Sequence, residues 1–267
     1  MSSPTLFRAA LTGATGGIGR AMAFALAPRS ESLLLMGRSV QALNNLRMSL
    51  QVRFPNLIIN CLAGDLLDPT YLKEISDYTR QNEVNLLVNN AGVNQFDAVK
   101  NLDAGAQARI VETNLLAPMQ LTQAMLPTLL RQGDAQVIQV GSIFGYIGYP
   151  GNAAYCASKF GLRGYAQSLA RELANSPVKV KYLAPRATTT AINEGAVENL
   201  NKALGVASDS PEFVASQLIH LIDSPRFDLK LGFPERLFVF MNQLFPRIND
   251  KAIQKQLPTI EKYWSAS

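Results

Sequence analysis

The chain has 267 residues, 48% of them hydrophobic and 17% charged, with moderate Gly and Pro. That supplies the core of one domain, or at most two, and excludes a disordered chain, a collagen-like repeat and a disulfide-stapled mini-protein. The formal charge of +5 is dispersed without a basic run, so it reads as a solvated basic surface or, alternatively, a modest attraction for anionic ligands or an anionic membrane surface, and no nucleic-acid partner is expected.

Short apolar runs alternate with amphipathic stretches along the chain. The runs cover 6–11, 33–36, 57–62, 86–88, 136–140 and 178–183, and turn residues bound them, as for strands buried on both faces. Segments 18–27, 40–52, 69–81 and 104–131 carry helical periodicity between them. Repeated βαβ units follow, hence an α/β fold: a doubly wound, Rossmann-like parallel sheet in a single domain. Residues 193–210 read as a mobile loop or short helices. No apolar run reaches the roughly 18 residues of a membrane span. The first run starts too early to leave room for a signal peptide, and a cytoplasmic chain is expected.

The first run ends in Thr12, Gly13, Ala14, Thr15, Gly16, Gly17, Ile18 and Gly19, and a helical pattern follows at once. Glycines let a backbone approach a phosphate, and the helix N-terminus offers free N–H groups to it. The bland alternative is an ordinary tight turn. The second run ends at Gly37, Arg38 and Ser39, with no acidic residue where an NAD-type site holds the ribose 2′-hydroxyl. Arg38 and Ser39 stand instead where a 2′-phosphate would lie, so NADP(H) is expected over NAD(H). The alternative is a solvated Arg38 and a site that tolerates both.

Further motifs follow in order. Asn89, Asn90, Ala91 and Gly92 come after the fourth run, and Asn114 lies in the long helical stretch beyond it. Ser142 follows the fifth run, and Tyr155, Cys156, Ala157, Ser158 and Lys159 open the next helix. Tyr155 and Lys159, four apart, share one helix face. A nearby ammonium lowers the pKa of a phenol, which makes it a usable acid–base group. The Ser142 hydroxyl can donate to an oxygen that gains negative charge.

With the glycine-rich opening, these motifs resemble the classical short-chain dehydrogenase/reductase family over about residues 5–190. The resemblance implies a catalytic set of Asn114, Ser142, Tyr155 and Lys159. In it Lys159 also grips the nicotinamide ribose, and Asn114 holds a water that links Lys159 to solvent. It implies a cofactor site of Gly13, Thr15, Gly16, Gly17, Ile18, Gly19, Arg38, Ser39, Asp65, Leu66, Asn90, Ala91, Gly92, Tyr155, Lys159, Pro185, Arg186, Thr188 and Thr190. Asp65 faces the adenine in this scheme, or else caps the helix after it. Asn90 ties neighbouring strands together. A dimer through 103–131 and 155–175 is implied too, with a tetramer in doubt.

Two departures stand out. Arg186 occupies a place where the family usually has Gly, so either the turn is not left-handed or its geometry differs. Its side chain then pairs with a phosphate or a substrate carboxylate, or else is solvated. The C-terminal part lacks the family's short glycine-rich strand. It carries instead a helix opened by Pro234, with Leu237, Phe240, Met241 and Leu244 in one stripe and Phe238 and Phe245 widening it. Residues 226–262 hold seven Lys/Arg against four Asp/Glu. This extension could cap the pocket, join a subunit interface or lie on an anionic membrane, giving a peripheral contact through 231–262.

The division expected is therefore 1–230 as a dinucleotide-binding catalytic domain, with a substrate loop at about 188–210, and 231–267 as a helical extension. The expected activity is NADP(H)-dependent hydride transfer that reduces a hydrophobic or acyl ketone. The substrate is to enter over 143–152 and under 189–205, past an apolar mouth of Phe144, Tyr146, Ile147 and Tyr149. The alternatives are an NADP-dependent alcohol dehydrogenase running in the oxidative direction and a non-catalytic NADP(H)-binding regulator. His220, the only histidine, reads as a surface or packing residue, and with two separated cysteines no metal site is expected. Cys156 reads as a packing residue open to thiol reagents.

Overall fold

The structure, a computed structural model, describes residues 6–190 and 195–264. Seven parallel strands run in the order β3-β2-β1-β4-β5-β6-β7: β1 Phe7–Thr12, β2 Ser30–Gly37, β3 Ile58–Ala63, β4 Leu86–Asn89, β5 Ala135–Val140, β6 Val178–Ala184 and β7 Asp228–Lys230. The first six are the apolar runs. The seventh is three half-buried residues, too short and too polar to show as a run.

Helices return the chain between strands: α1 Gly17–Leu26, α2 Val40–Arg53, α3 Pro69–Gln81, α4 Ala104–Val111, α5 Ala117–Leu129, α6 Ala153–Glu172, α7 Ala196–Ala203 and α8 Pro211–Asp223. Side-chain caps set several starts. Ser39, Asp68, Asp103 and Ser210 accept from Ala42, Thr70, Ala106 and Phe213 N–H at 3.2, 2.8, 2.8 and 3.1 Å. Each cap contributes about 1 kcal/mol.

Alternate residues of one strand serve opposite faces of the sheet. Leu33 and Leu35 pack with Met22, Leu26 and Leu43 on one side, while Leu34 packs with Ile75 and Leu121 on the other. Burial on both faces is why these strands read as continuous apolar runs. On β6 a buried lysine breaks the pattern. Lys181 Nζ donates to the carbonyls of Leu221, Ile222 and Ser224 at 2.9, 2.8 and 2.7 Å and so caps the C-terminal end of α8.

The C-terminal part forms α9 Phe233–Leu244 and α10 Pro246–Glu261. Val239 joins the core cluster that holds Val180 and Tyr182, so the extension packs on the domain. Of the expected substrate loop, 196–203 is α7, and 191–194 lies outside the described residues. The order reverses between β1 and β4, the switch point where ligands enter open parallel sheets.

Candidate active site

A cavity of about 850 Å³ runs over the C-terminal ends of the strands, with residues from the ends of β1 through β6 in its wall. From β3 to β6 there are five inter-strand steps, about 24 Å, long enough for an extended dinucleotide.

The middle of the cavity is the β1–α1 turn. Gly13 has φ +62°, and a Cβ there would meet Ala91 Cα at 2.8 Å. A Cβ at Gly19 would meet Gly13 O at 2.0 Å, so α1 can start this close to β1 only on glycine. Asn90 locks the crossing: its Nδ2 donates to Thr12 O and Gly13 O at 3.1 and 3.2 Å, and Thr12 Oγ1 accepts from Asn90 and Ala91 N–H. The expected strand tie is thereby found. Helix α1 begins on Gly16 with no side-chain cap and no acidic residue in its first turn. Its first N–H groups therefore have no side-chain acceptor, which suits a pyrophosphate. The residues present fit a dinucleotide.

On one side lie Arg38, after β2, and Asp65 and Leu66, after β3; all three line the cavity. Asp65 Oδ1 accepts from Leu67 N–H at 3.0 Å, while Asp68 caps α3, so Asp65 is not the helix cap. Ser39 is a correction. It is not in the cavity wall, and its hydroxyl oxygen accepts from Ala42 N–H as the cap of α2, a role the sequence reading did not give it.

On the other side lie Ser142, Tyr155, Lys159, Pro185, Arg186, Thr188 and Thr190. Helix α6 puts Tyr155 and Lys159 on one face, with Lys159 Nζ 5.7 Å from the phenol ring centroid. Tyr155 hydrogen-bonds Ser142, yet burial dominates and pushes its pKa up to about 12. Lys159 Nζ donates to Val140 O at 3.0 Å, and burial lowers its pKa to about 8. The expected lowering of the phenol is therefore not found, because burial outweighs the influences that would lower it.

Asn114 does not line the cavity. It is fully buried on a π-helical turn, Glu112–Leu116, rather than in regular helix. Its Oδ1 accepts from Val93 N–H and its Nδ2 donates to Val93 O, both at 2.8 Å, and Nδ2 also reaches Ser158 Oγ. Its side chain is thus fully used in holding the β4 exit. A Cβ at Gly92 would lie 3.2 Å from Asn114 Oδ1 and 3.7 Å from Lys159 Nζ, so Asn114 and Lys159 are neighbours across that glycine.

Arg186 does not take a left-handed conformation. Its guanidinium donates to Asp209 Oδ1 at 2.7 and 3.0 Å and to both Glu235 oxygens at 3.2 and 3.3 Å. It is therefore neither solvated nor free for a phosphate. These carboxylates, 23 and 49 residues further on, carry no local sequence signal.

None of the four residues expected at the apolar mouth lies in the cavity wall itself. Phe144 stacks on Tyr149 at 5.2 Å and meets Tyr155 edge-on at 6.4 Å. Tyr146 and Ile147 are buried in the core instead, and the Tyr146 hydroxyl donates to Asp228 at 2.7 Å. Cys156 is buried and its thiol pKa is pushed up to about 11, which argues against ready attack by thiol reagents. His220 is exposed on α8. Among the described residues no group of three or more His, Cys, Asp or Glu could hold a metal ion.

One residue was missed altogether. Tyr182, fully buried on β6, donates its hydroxyl to Lys159 O at 3.2 Å and accepts from Ser142 N–H at 3.4 Å. It supports both the serine and the lysine from behind. The signal for it is a phenol amid aliphatic strand residues with glycines at 141 and 145, where a Cβ would meet its oxygen at 1.9 and 2.4 Å.

A glycine-opened helix at the switch point and a Ser–Tyr–Lys group at the far end of the same cavity define a nicotinamide-nucleotide oxidoreductase site. The chain belongs to the short-chain dehydrogenase family, whose model matches residues 8–201. It is 29% identical over 249 residues to dehydrogenase/reductase SDR family member 7B of Bos taurus, covering 88% of this chain and 77% of that one. It is 28% identical over 235 residues to the 3-oxoacyl-[acyl-carrier-protein] reductase FabG of Escherichia coli, with 80% and 94% covered. Its fold matches a short-chain dehydrogenase/reductase from Burkholderia phymatum in complex with NAD, with a TM-score of 0.83, 22% identity, and 93% and 97% covered. Another similar fold, from Burkholderia cenocepacia, is in complex with NADP. The chain is thus an oxidoreductase of a family that uses nicotinamide cofactors.

Proposed function

We propose that this chain is an NADP(H)-dependent reductase of hydrophobic or acyl ketones. The observation that carries the reading is one cavity with Arg38 at one end and Ser142, Tyr155 and Lys159 at the other. Arg38, with no carboxylate beside it in the cavity wall after β2, supports the 2′-phosphate, since guanidinium–phosphate bonds are charge-assisted and often bidentate. The stacked Phe144 and Tyr149 support an apolar substrate, and the FabG relative reduces a 3-oxoacyl group by its name.

A bound nicotinamide supplies the hydride. Ser142 Oγ donates to the carbonyl oxygen and stabilises its developing charge. Tyr155 Oη gives its proton to the alkoxide. Lys159, an ammonium below its pKa of about 8, offers positive charge near the resulting phenolate and a hydroxyl-binding group for the ribose. Asn114 fixes the backbone beside Lys159, where a water can enter the relay. Reduction is the direction proposed, and burial keeps Tyr155 in the protonated form that this direction consumes.

Pairing of two copies through α4, α5 and α6 is proposed as well, supported by exposed Val111, Leu116 and Phe160 on that surface. Work in the cytoplasm is also proposed; both cysteines are free, in keeping with a reducing compartment.

The test is NADPH consumption with a panel of ketones, run beside Tyr155→Phe. The wild type should turn over an apolar ketone, and the variant should lose at least about a hundredfold while still binding NADPH. Tight NADPH binding without turnover of any carbonyl compound would instead support a regulatory binding protein.

A further inference from the structure

Helix α9 is packed by one face only. Phe238, Val239 and Asn242 turn inward; Val239 is 1% exposed, and Asn242 donates to Tyr146 O. On the opposite face Phe233, Leu237, Phe240 and Leu244 are 79, 54, 56 and 54% exposed. At 3.6 residues per turn these four fall within about 60° of arc, a stripe about 16 Å long. Phe245, 54% exposed, follows at its end. Together they display on the order of 500 Å² of apolar surface, as large as the patches that mark interaction sites. None of the five lines the cavity, so the stripe does not cap the pocket.

The foot of the same helix is cationic. Arg226, Lys230 and Arg236 line, with Asp228, a shallow pocket of about 360 Å³, and Arg236 also flanks the stripe. The carboxylates of this face are spent: Asp228 pairs with Lys230, and Glu235 pairs with Arg186. Arg226 and Arg236 are exposed and, among the described residues, have no carboxylate partner. Arg247, past the end of the helix, is exposed as well, and from there to the end of α10 and just beyond it exposed Lys251, Lys255 and Lys262 outnumber Asp250 and Glu261.

We propose that α9, with the cationic pocket at its foot, docks on an anionic phospholipid bilayer. Phe and Leu on one stripe beside Arg and Lys is the pattern of a helix lying in the interface plane. Phosphodiester headgroups supply the charge that the unpaired arginines lack. A second copy fits less well. Two facing stripes would cover at most about 1,000 Å², under the roughly 1,200 Å² at which stable dimers begin. Glu235, in the first turn of α9, holds Arg186 in the cavity wall, so the docked face is one ion pair from the site. The inference does not rest on the catalytic reading.

Flotation of the full chain with vesicles tests it. One set is phosphatidylcholine alone, and the other contains one quarter phosphatidylglycerol. The chain should partition onto the anionic set at least tenfold better and be released by salt. Arg226→Gln with Arg236→Gln should weaken that binding about fivefold per cation removed. Phe233→Ser, Leu237→Ser and Phe240→Ser together should abolish it, with melting temperature and NADPH affinity as controls of folding. No partition onto anionic vesicles, or wild-type partition by the stripe variant, overturns the proposal. So does a stripe variant that turns a dimer into a monomer and still floats. Should the stripe variant fail to fold, the arginine pair decides the matter alone, and unchanged binding there is refuting.

Discussion

Removing the Tyr182 hydroxyl probes how the site is held without touching any residue in the cavity wall. In Tyr182→Phe the ring still fills the space that Gly141 and Gly145 leave for it. Lost are the bond to Lys159 O at 3.2 Å and the acceptor for Ser142 N–H at 3.4 Å. Both are long, so the first contributes about 0.5–1 kcal/mol, and the stranded N–H costs about 1 kcal/mol more. A total of about 1.5–2 kcal/mol corresponds to a melting temperature lower by roughly 3–8 °C in a chain of this size. Ser142 and the first turns of α6 then lose their common anchor, and kcat should fall about tenfold with little change in KM for NADPH, whose phosphate contacts lie at the other end. Calorimetry and steady-state kinetics read the two effects separately. A lower melting temperature with unchanged kcat would refute the positioning role, and no change in either would refute the hydrogen bonds themselves.

Arg38→Ala should raise KM for NADPH about tenfold and leave that for NADH nearly unchanged, as measured with one ketone and both cofactors. Lys159 gives a pH signature: reductive kcat should fall as pH climbs through about 8 and the ammonium is lost. In stability the sign is opposite, because this group binds fewer protons folded than unfolded between about 8 and 10.5. Its burial penalty is full below 8 and fades across that window, so Lys159→Met should gain most, by chemical denaturation, at pH 7. Arg186→Gly strands two carboxylates, and it should cost about 2–3 kcal/mol while loosening NADPH in a fluorescence titration. If affinity holds, the ion pairs serve only the fold.

What the sequence discloses follows from where the determining interactions lie. Strands buried on both faces announce themselves as apolar runs, and the β1–α1 turn announces itself through glycines that no other residue can replace at that approach. The Ser–Tyr–Lys group is legible because Ser142 follows its strand and Tyr155 and Lys159 open one helix four residues apart. Other features are set by partners distant in sequence. Arg186 finds Asp209 and Glu235 only after β6, α8 and α9 are placed. Tyr146 and Ile147 share an apolar segment with Phe144 and Tyr149, and only tertiary packing tells the buried pair from the half-buried one. Strand β7 holds by pairing with β6, not by its own composition. Ser39 next to Arg38 invites a phosphate reading, but a serine immediately before a helix is also its natural cap.

The least legible feature is the charge state of the site, and it bears on direction. Proximity of Lys159 to Tyr155 suggests a loosened proton, whereas burial of both groups acts against charge on either. A phenol pushed up from 10 to about 12 by burial carries its anion far less often than a free one. For alcohol oxidation that is a handicap, since the phenolate must exist before hydride leaves the carbon. For carbonyl reduction it is none, since an alkoxide is a far stronger base than the phenolate and takes the proton from a pKa of 12 almost as readily as from 10. The ammonium then matters after transfer, when the phenolate appears beside it in a low-dielectric pocket and one attraction replaces one burial penalty. The same burial that a reading of spacing does not show thus keeps the proton on Tyr155, the form that the proposed carbonyl reduction consumes.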